Sequence, residues 1–195
     1  MTATGTATGT ERPLTPAGRR VLDTASRLFY ERGINTVGMD LIADQAGVTK
    51  KTVYDRFGSK DALVAAYLAA RDRRWRAWVG EYTAAAAGPR ERALAVFDAL
   101  EAWMEGMEPR GCAMVNACVE LTDPAHPGLR VAREQKRWTR ELFLGLVVEA
   151  GAADPEEAAD ALLVLYEGAV VVYNTAGVRT AVRTARRVAG DLLSR

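Results

Sequence analysis

Six side chains in one short stretch, Thr49, Lys50, Lys51, Thr52, Tyr54 and Arg56, are hydroxyls, cations and a phenol. Such groups donate hydrogen bonds to phosphate oxygens and to base edges in the major groove of DNA. The surrounding run, GMDLIADQAGVTKKTVYDRF over residues 38–57, has the layout of a helix-turn-helix. Its periodicity predicts two short helices, 39–45 and 50–57, meeting at a tight turn, Ala46-Gly47-Val48. Gly47 can adopt the left-handed backbone that the turn needs, and Ala43 is small enough for the helices to approach. Val48 and Val53 would bury the turn against a preceding helix, leaving the six polar side chains outward. The second helix begins at Thr49 and Lys50, so its N-terminal dipole adds attraction for phosphate.

A second set of residues invites a metal reading and fails it. Cys112, Cys118, Glu120, Asp123 and His126 lie close in sequence, but C-x5-C-x7-H is not a recurring zinc spacing. No metal and no cofactor are expected, and two idle or buried thiols are favoured over a redox pair. The single histidine, with no glycine-rich phosphate loop and no nucleophile–base pair, argues against an enzyme.

A third set could recognise a small molecule. Trp103, Met107, Cys112, Met114, Cys118, Trp138, Tyr166 and Tyr173 offer an adaptable aromatic and sulfur-rich wall. Asn116 and Asn174 could orient one polar group against it.

The elements that must position these residues are helices. Residues 1–14 are small, polar and aperiodic, which predicts a disordered tail. Thr15-Pro16 then reads as an N-cap with proline at the first helical position. Val21, Leu22, Ala25, Leu28 and Phe29 make one apolar stripe on a first helix ending near Gly33. After the helix-turn-helix, Ser59 caps a long helix from Lys60 to about Ala87, broken at Gly88-Pro89. Further helices are expected over Pro89–Met107, a short apolar segment Cys112–Leu121, Gly128–Ala150, Pro155–Ala176 and Val178–Ser194. Asp154-Pro155-Glu156-Glu157 is a capping-box arrangement. No alternating strand pattern appears, so the fold class is all-α with about nine helices. An N-terminal three-helix unit (15–75) would be followed by a larger helical unit (76–195).

Charge divides the same way. Of 195 residues, the first 76 carry 13 basic and 8 acidic side chains, while the remainder carries 13 and 17. The net +5 of the first part suits a polyanionic partner. No apolar run reaches the roughly 18 residues of a membrane span. The N-terminus lacks a basic segment followed by an apolar one, and two cysteines suit a reducing compartment. A cytoplasmic protein without membrane association is expected.

Residues from about 15 to 75 resemble the DNA-binding domain of the TetR family of bacterial transcriptional regulators. The matching residues are Ala25 with Leu28-Phe29, Gly33, Ile42-Ala43, Ala46-Gly47-Val48, Thr52-Val53-Tyr54, Phe57 and Ser59-Lys60-Asp61-Ala62-Leu63. The ordered run A-G-V-T-K-K-T-V-Y-D-R-F-x-S-K-D-x-L is the specific part. The resemblance implies that the helix starting at Thr49 is the recognition helix and that Tyr54 and Lys60 grip phosphates. Lys50, Lys51, Thr52 and Arg56 are then the groove-side candidates. Two departures stand out: Gly38 occupies the cap of the second helix, where the family usually has Ser or Thr, and Arg56 replaces a common histidine. Thr36, one turn earlier, is a substitute for the missing hydroxyl.

The resemblance also implies a homodimer that reads a pseudo-palindromic operator and responds to a small-molecule effector, most simply as a repressor. Regulation without an effector, or activation, is the alternative. The helix from Pro155 is apolar nearly all round and must be covered on two sides. A second subunit would cover one side through Leu162, Tyr166 and Val170, with Val182, Ala185, Val188 and Leu192 on the last helix.

Overall fold

The computed structural model describes residues 14–106 and 110–194, which form nine α-helices without a strand. They are α1 (Pro16–Arg32), α2 (Met39–Ala46), α3 (Lys50–Phe57), α4 (Lys60–Ala85), α5 (Pro89–Glu105), α6 (Ala113–Glu120), α7 (Pro127–Glu149), α8 (Pro155–Thr175) and α9 (Ala181–Leu192). The tail expected over 1–14 lies outside the described residues except for Leu14, which is exposed. Met107 also lies outside them.

Local chemistry starts the helices where side-chain caps stand. Thr15 Oγ1 accepts from the Gly18 N–H at 3.2 Å, Ser59 Oγ from Ala62 at 3.1 Å, and Asp154 Oδ1 from Glu157 at 3.1 Å. Each such cap is worth about 1 kcal/mol. The last helix begins three residues later than its pattern suggests, at Ala181 rather than Val178. Gly177 turns the chain at φ +68°, and Val178 stays exposed, so an earlier start would bury nothing.

The buried side chains form two cores. The first joins α1, α2 and α3 through Val21, Leu28, Ile42 and Val53 to Leu63, Tyr67 and Leu68 on α4. It also takes in Ala113, Met114 and Ala117 of α6 and Leu129 and Ala132 of α7. The second packs α5, α7, α8 and α9 against Trp75 and Val79. At its centre Phe97 and Phe143 lie 5.8 Å apart, with Tyr166 6.4 and 6.1 Å from them. Arg71, on α4 between Leu68 and Trp75, is buried where the two cores meet.

This packing corrects the expected subunit interface. Leu162 is wholly inaccessible, and Tyr166, Val170, Val182 and Ala185 are also buried within their own chain. Leu192 is half-buried against the same core. Of the seven expected residues only Val188 is exposed. The apolar residues that α8 leaves uncovered are Val164, 71% exposed, with Val171 and Val172. An all-round apolar helix has two faces, and the sequence does not say which one the rest of the chain covers.

Candidate nucleic-acid interface and the cavity behind it

α3 is held by the buried Val53, by the half-buried Phe57 packed on the same core, and by its own cap: Thr49 Oγ1 accepts from the Thr52 N–H at 3.1 Å. The turn before it closes as its sequence requires. Gly47 has φ +63° and ψ +42°, and its N–H donates to the Asp44 carbonyl at 3.1 Å. α3 therefore stands on the first core by one face and presents the other to solvent. Thr49, Lys50, Lys51, Tyr54 and Arg56 are exposed, while Thr52 is half-buried with its hydroxyl 2.9 Å from that of Thr49.

The cations on this face are tethered rather than idle. Lys50 Nζ reaches Asp40 at 2.9 Å, and Lys51 Nζ reaches Asp55 at 2.7 Å. The Asp40 hydrogen bond and charge raise the pKa of Lys50 above its ordinary value. Exposed pairs of this kind are worth at most about 1 kcal/mol, so a phosphate can exchange for the carboxylate. Arg56 makes no ion pair among the described residues. Lys60 opens α4 and is half-buried; burial pulls its pKa down, with Asp61 and Glu120 acting in the opposite direction. An anion beside it would offset that desolvation.

Thr36 and Gly38, the two expected contacts near α2, make different local interactions. The Thr36 hydroxyl donates to the Arg32 carbonyl at 2.6 Å and lies 3.1 Å from that of Gly33. Its proton is used in closing α1, and no N–H of α2 donates to its oxygen among the described residues. Gly38 does cap α2, in extended backbone at φ −89° and ψ 158°, without a side-chain hydrogen bond. A Cβ at that position would meet nothing within 4 Å.

Behind the helix-turn-helix lies a cavity of about 260 Å³. Trp103, Cys112, Met114, Tyr166, Tyr173 and Asn174 line it, as their types suggested. Asn116, Cys118 and Trp138 do not. Asn116 instead donates to the Arg110 carbonyl at 2.7 Å, Cys118 is exposed, and Trp138 stacks under Arg76 at 4.5 Å. Among the lining residues that were not foreseen are Tyr30 from α1, Arg71 and Trp75 from α4, and Gln135 from α7, with the charged Glu105 and Arg179 at the exposed rim. Val64, Leu68, Arg71 and Trp75 repeat at helical spacing, so a cation on the buried stripe of α4 was the available signal.

Polar groups in the cavity wall are engaged to different degrees. The Arg71 guanidinium lies 4.4 Å from the Tyr30 ring centre and hydrogen-bonds its hydroxyl. Asn174 donates to the Val170 carbonyl at 2.7 Å. Cys112 Sγ is 3.4 Å from Lys136 Nζ, which also meets Glu167 at 2.6 Å. Trp75 Nε1 and Gln135 Oε1 are buried without a hydrogen-bond partner among the described residues.

The cavity wall is bolted to the α1–α3 unit. Tyr30 donates to the Gly111 carbonyl at 3.1 Å, and Arg110 donates to the Glu31 carbonyl at 2.9 Å. At the far end of α6, Asn35 donates its amide to the Glu120 carbonyl at 2.8 Å and its backbone N–H to the Glu120 carboxylate at 3.2 Å. Gly33 makes room for that carboxylate: a Cβ there would stand 3.0 Å from Glu120 Oε2. Cys112 to Met114 thus belong both to the cavity and to the segment clamped on α1.

Known proteins share this architecture. Residues 21–67 match the family model for bacterial regulatory proteins of the tetR family. A solved structure of a TetR-family transcriptional regulator from Streptomyces coelicolor is 32% identical, with a TM-score of 0.85 over 91% of this chain and 94% of that one. An uncharacterized helix-turn-helix transcriptional regulator of Mycobacterium tuberculosis is 28% identical over 164 residues, 73% of this chain and 80% of the relative. The transcriptional activator FasR of Mycolicibacterium smegmatis is 41% identical over 66 residues, 34% of this chain and 30% of its own. With the exposed face of α3, the cap and turn that hold it, and whole-length likeness to a solved relative, the chain belongs to the TetR family and is a DNA-binding transcriptional regulator.

Proposed function

We propose that the protein is a homodimeric repressor that a small apolar or aromatic molecule releases from a pseudo-palindromic operator. The observation that carries this reading is the shared wall: Tyr30 belongs to the DNA-facing unit and lines the cavity. α4 supplies the lever. It starts at Lys60, beside the recognition helix, and lines the cavity with Arg71 and Trp75. At 1.5 Å per residue, Lys60 and Arg71 are roughly 16 Å apart along one rod.

DNA contacts are assigned to Thr49, Lys50, Lys51, Thr52, Tyr54 and Arg56 on α3, with Lys60 at the start of α4. The second subunit is assigned to the uncovered face of α8 and α9, through Val164, Val171, Val172 and Val188. Two recognition helices must then sit about 34–36 Å apart to enter successive major grooves. A molecule that fits one spacing of α4 better than another shifts the equilibrium by its difference in affinity and no more.

Fluorescence anisotropy on an operator-length duplex at several salt concentrations tests the DNA half. Affinity should fall by about 0.9 log units per log unit of salt for each phosphate neutralised. A flat response removes the assignment. Repression and activation use the same DNA-facing half, so a reporter with and without the protein fixes the direction.

A further inference from the structure

α7 enters the fold beside the start of α4. Leu129 and Ala132 are buried in the first core, and a Cβ on Gly128 would come within 3.1 Å of Val64. His126 Nδ1 accepts from the Gly128 N–H at 2.9 Å, which leaves Nε2 facing the Asp61 carboxylate at 3.3 Å. Asp61 follows Lys60 directly, so the first turn of α7 lies against the end of α4 that succeeds the recognition helix.

Three arginines share the outer face of α7 at this end. Arg130, Arg133 and Arg137 recur at i, i+3 and i+7, all exposed, and with His126 and Pro127 they line a cleft of about 320 Å³. None of the three makes an ion pair or a hydrogen bond among the described residues. Elsewhere beyond α4 arginines are matched with acids, as Arg92 is with Glu149, Arg140 with Glu156 and Asp160, and Arg186 with Asp98. The chain after residue 76 carries 17 acidic against 13 basic side chains, so three unmatched cations on one face stand against their background. Glu134 shares the face and leaves it net positive.

Resting on the assignment of α3 and Lys60 to DNA, we propose that this face of α7 is a second phosphate-binding surface. It holds duplex backbone beyond the phosphates that α3 and Lys60 reach. A duplex carries one charge about every 1.7 Å along its axis, so a backbone seated at Lys60 continues past the neighbouring cations. Arg130 stands one turn of α7 beyond His126, and Arg137 is roughly 10 Å further along. The guanidinium fork matches a pair of phosphate oxygens. Phosphate contacts carry no base information, so this surface adds affinity and register without changing which bases α3 reads.

Fluorescence anisotropy of the full-length protein on a labelled random-sequence duplex, across a salt series, tests the proposal. Arg130→Ala/Arg133→Ala should lower the salt slope by at least about 0.9, one phosphate contact, at an unchanged melting temperature. Arg130→Lys/Arg133→Lys keeps the charge and should keep the slope. Arg90→Ala/Arg92→Ala removes the same charge at the start of α5, past the far end of α4, which is roughly 38 Å from Lys60 along that helix. It should bind as the wild type does. A wild-type slope in Arg130→Ala/Arg133→Ala overturns the α7 surface, and an equal loss in the α5 variant overturns it by reducing the effect to net charge. Lys51→Ala, measured alongside, separates the two readings. If it lowers the slope and the α7 variant does not, only the α7 surface falls; if neither does, the assignment of α3 falls as well. Wild-type protein that prefers poly-L-glutamate to the duplex, and loses that preference in the α7 variant, gives the face to an acidic protein and overturns the proposal.

Discussion

The Tyr30 hydroxyl donates to the Gly111 carbonyl at 3.1 Å, joining the first helix of the DNA-facing unit to the loop that leads into the cavity wall. Gly111 itself is at φ +72°, and a Cβ there would press on Asn174 at 3.3 Å, so the loop is wedged between α1 and α8. Eighty-one residues separate the bonded pair, and no local rule of sequence connects them.

Tyr30→Phe removes that hydroxyl and keeps the ring under Arg71. Stability should fall by about 2–4 kcal/mol, because both the bond to the Gly111 carbonyl and the bond from the buried Arg71 guanidinium are lost. Operator affinity without effector should stay near wild type, while the effector concentration that releases DNA should change. Thermal melts and anisotropy titrations measure both, and an unchanged release curve would detach Tyr30 from signalling.

Lys51→Ala and Tyr54→Ala alter exposed side chains of α3, Tyr54 being 42% exposed. Folding stability should move by no more than about 0.5 kcal/mol. Operator binding should weaken severely. For Lys51→Ala the salt slope should drop by about 0.9, one phosphate contact. Variants that melt normally and still bind DNA as the wild type does would refute the recognition-helix assignment.

Gly38→Ser restores a hydroxyl to the cap of α2. The backbone is extended and open, so the serine fits without strain. A gain of a few tenths of a kcal/mol in stability is expected from the cap. The family resemblance puts a hydroxyl at this cap against phosphate, so operator affinity should rise. Competition between the two proteins for one labelled duplex reads the difference.

Asp40→Asn frees Lys50 from its 2.9 Å ion pair. Because the lost pair is exposed, stability should barely change. Removing a carboxylate next to the duplex should strengthen binding to random sequence more than to operator. The ratio of the two dissociation constants at fixed salt is the measurement.

Val171→Arg places a charge on the uncovered face of α8 without touching the core. Sedimentation should show a monomer where the wild type sediments as a dimer, with helix content unchanged. Leu162→Ala, by contrast, empties a wholly buried position and should cost about 2–5 kcal/mol of stability. If Val171→Arg still sediments as the wild type does, the interface lies elsewhere.

The sequence by itself determined what is local. The Thr49 cap, the left-handed Gly47, the stripe from Val21 to Phe29 and the Ser59 start of α4 are short-range rules, and each element formed where its residues placed it. The exposed face of α3 was equally legible, because Val53 and Phe57, four apart, are the apolar residues of that helix that pack on the core. Tertiary structure decided the rest. α6 carries apolar residues on several faces, so nothing in its pattern directs it to the first core rather than the second. The same ambiguity sent Leu162 and Tyr166 inward and Val164 and Val171 outward. The cavity was half visible because residue type marks Trp103 and Tyr173, whereas Tyr30 and Gln135 enter it only through the packing of distant helices. A helix registers its own 3.6-residue period, but which of two apolar faces meets which neighbour depends on every other face competing for cover.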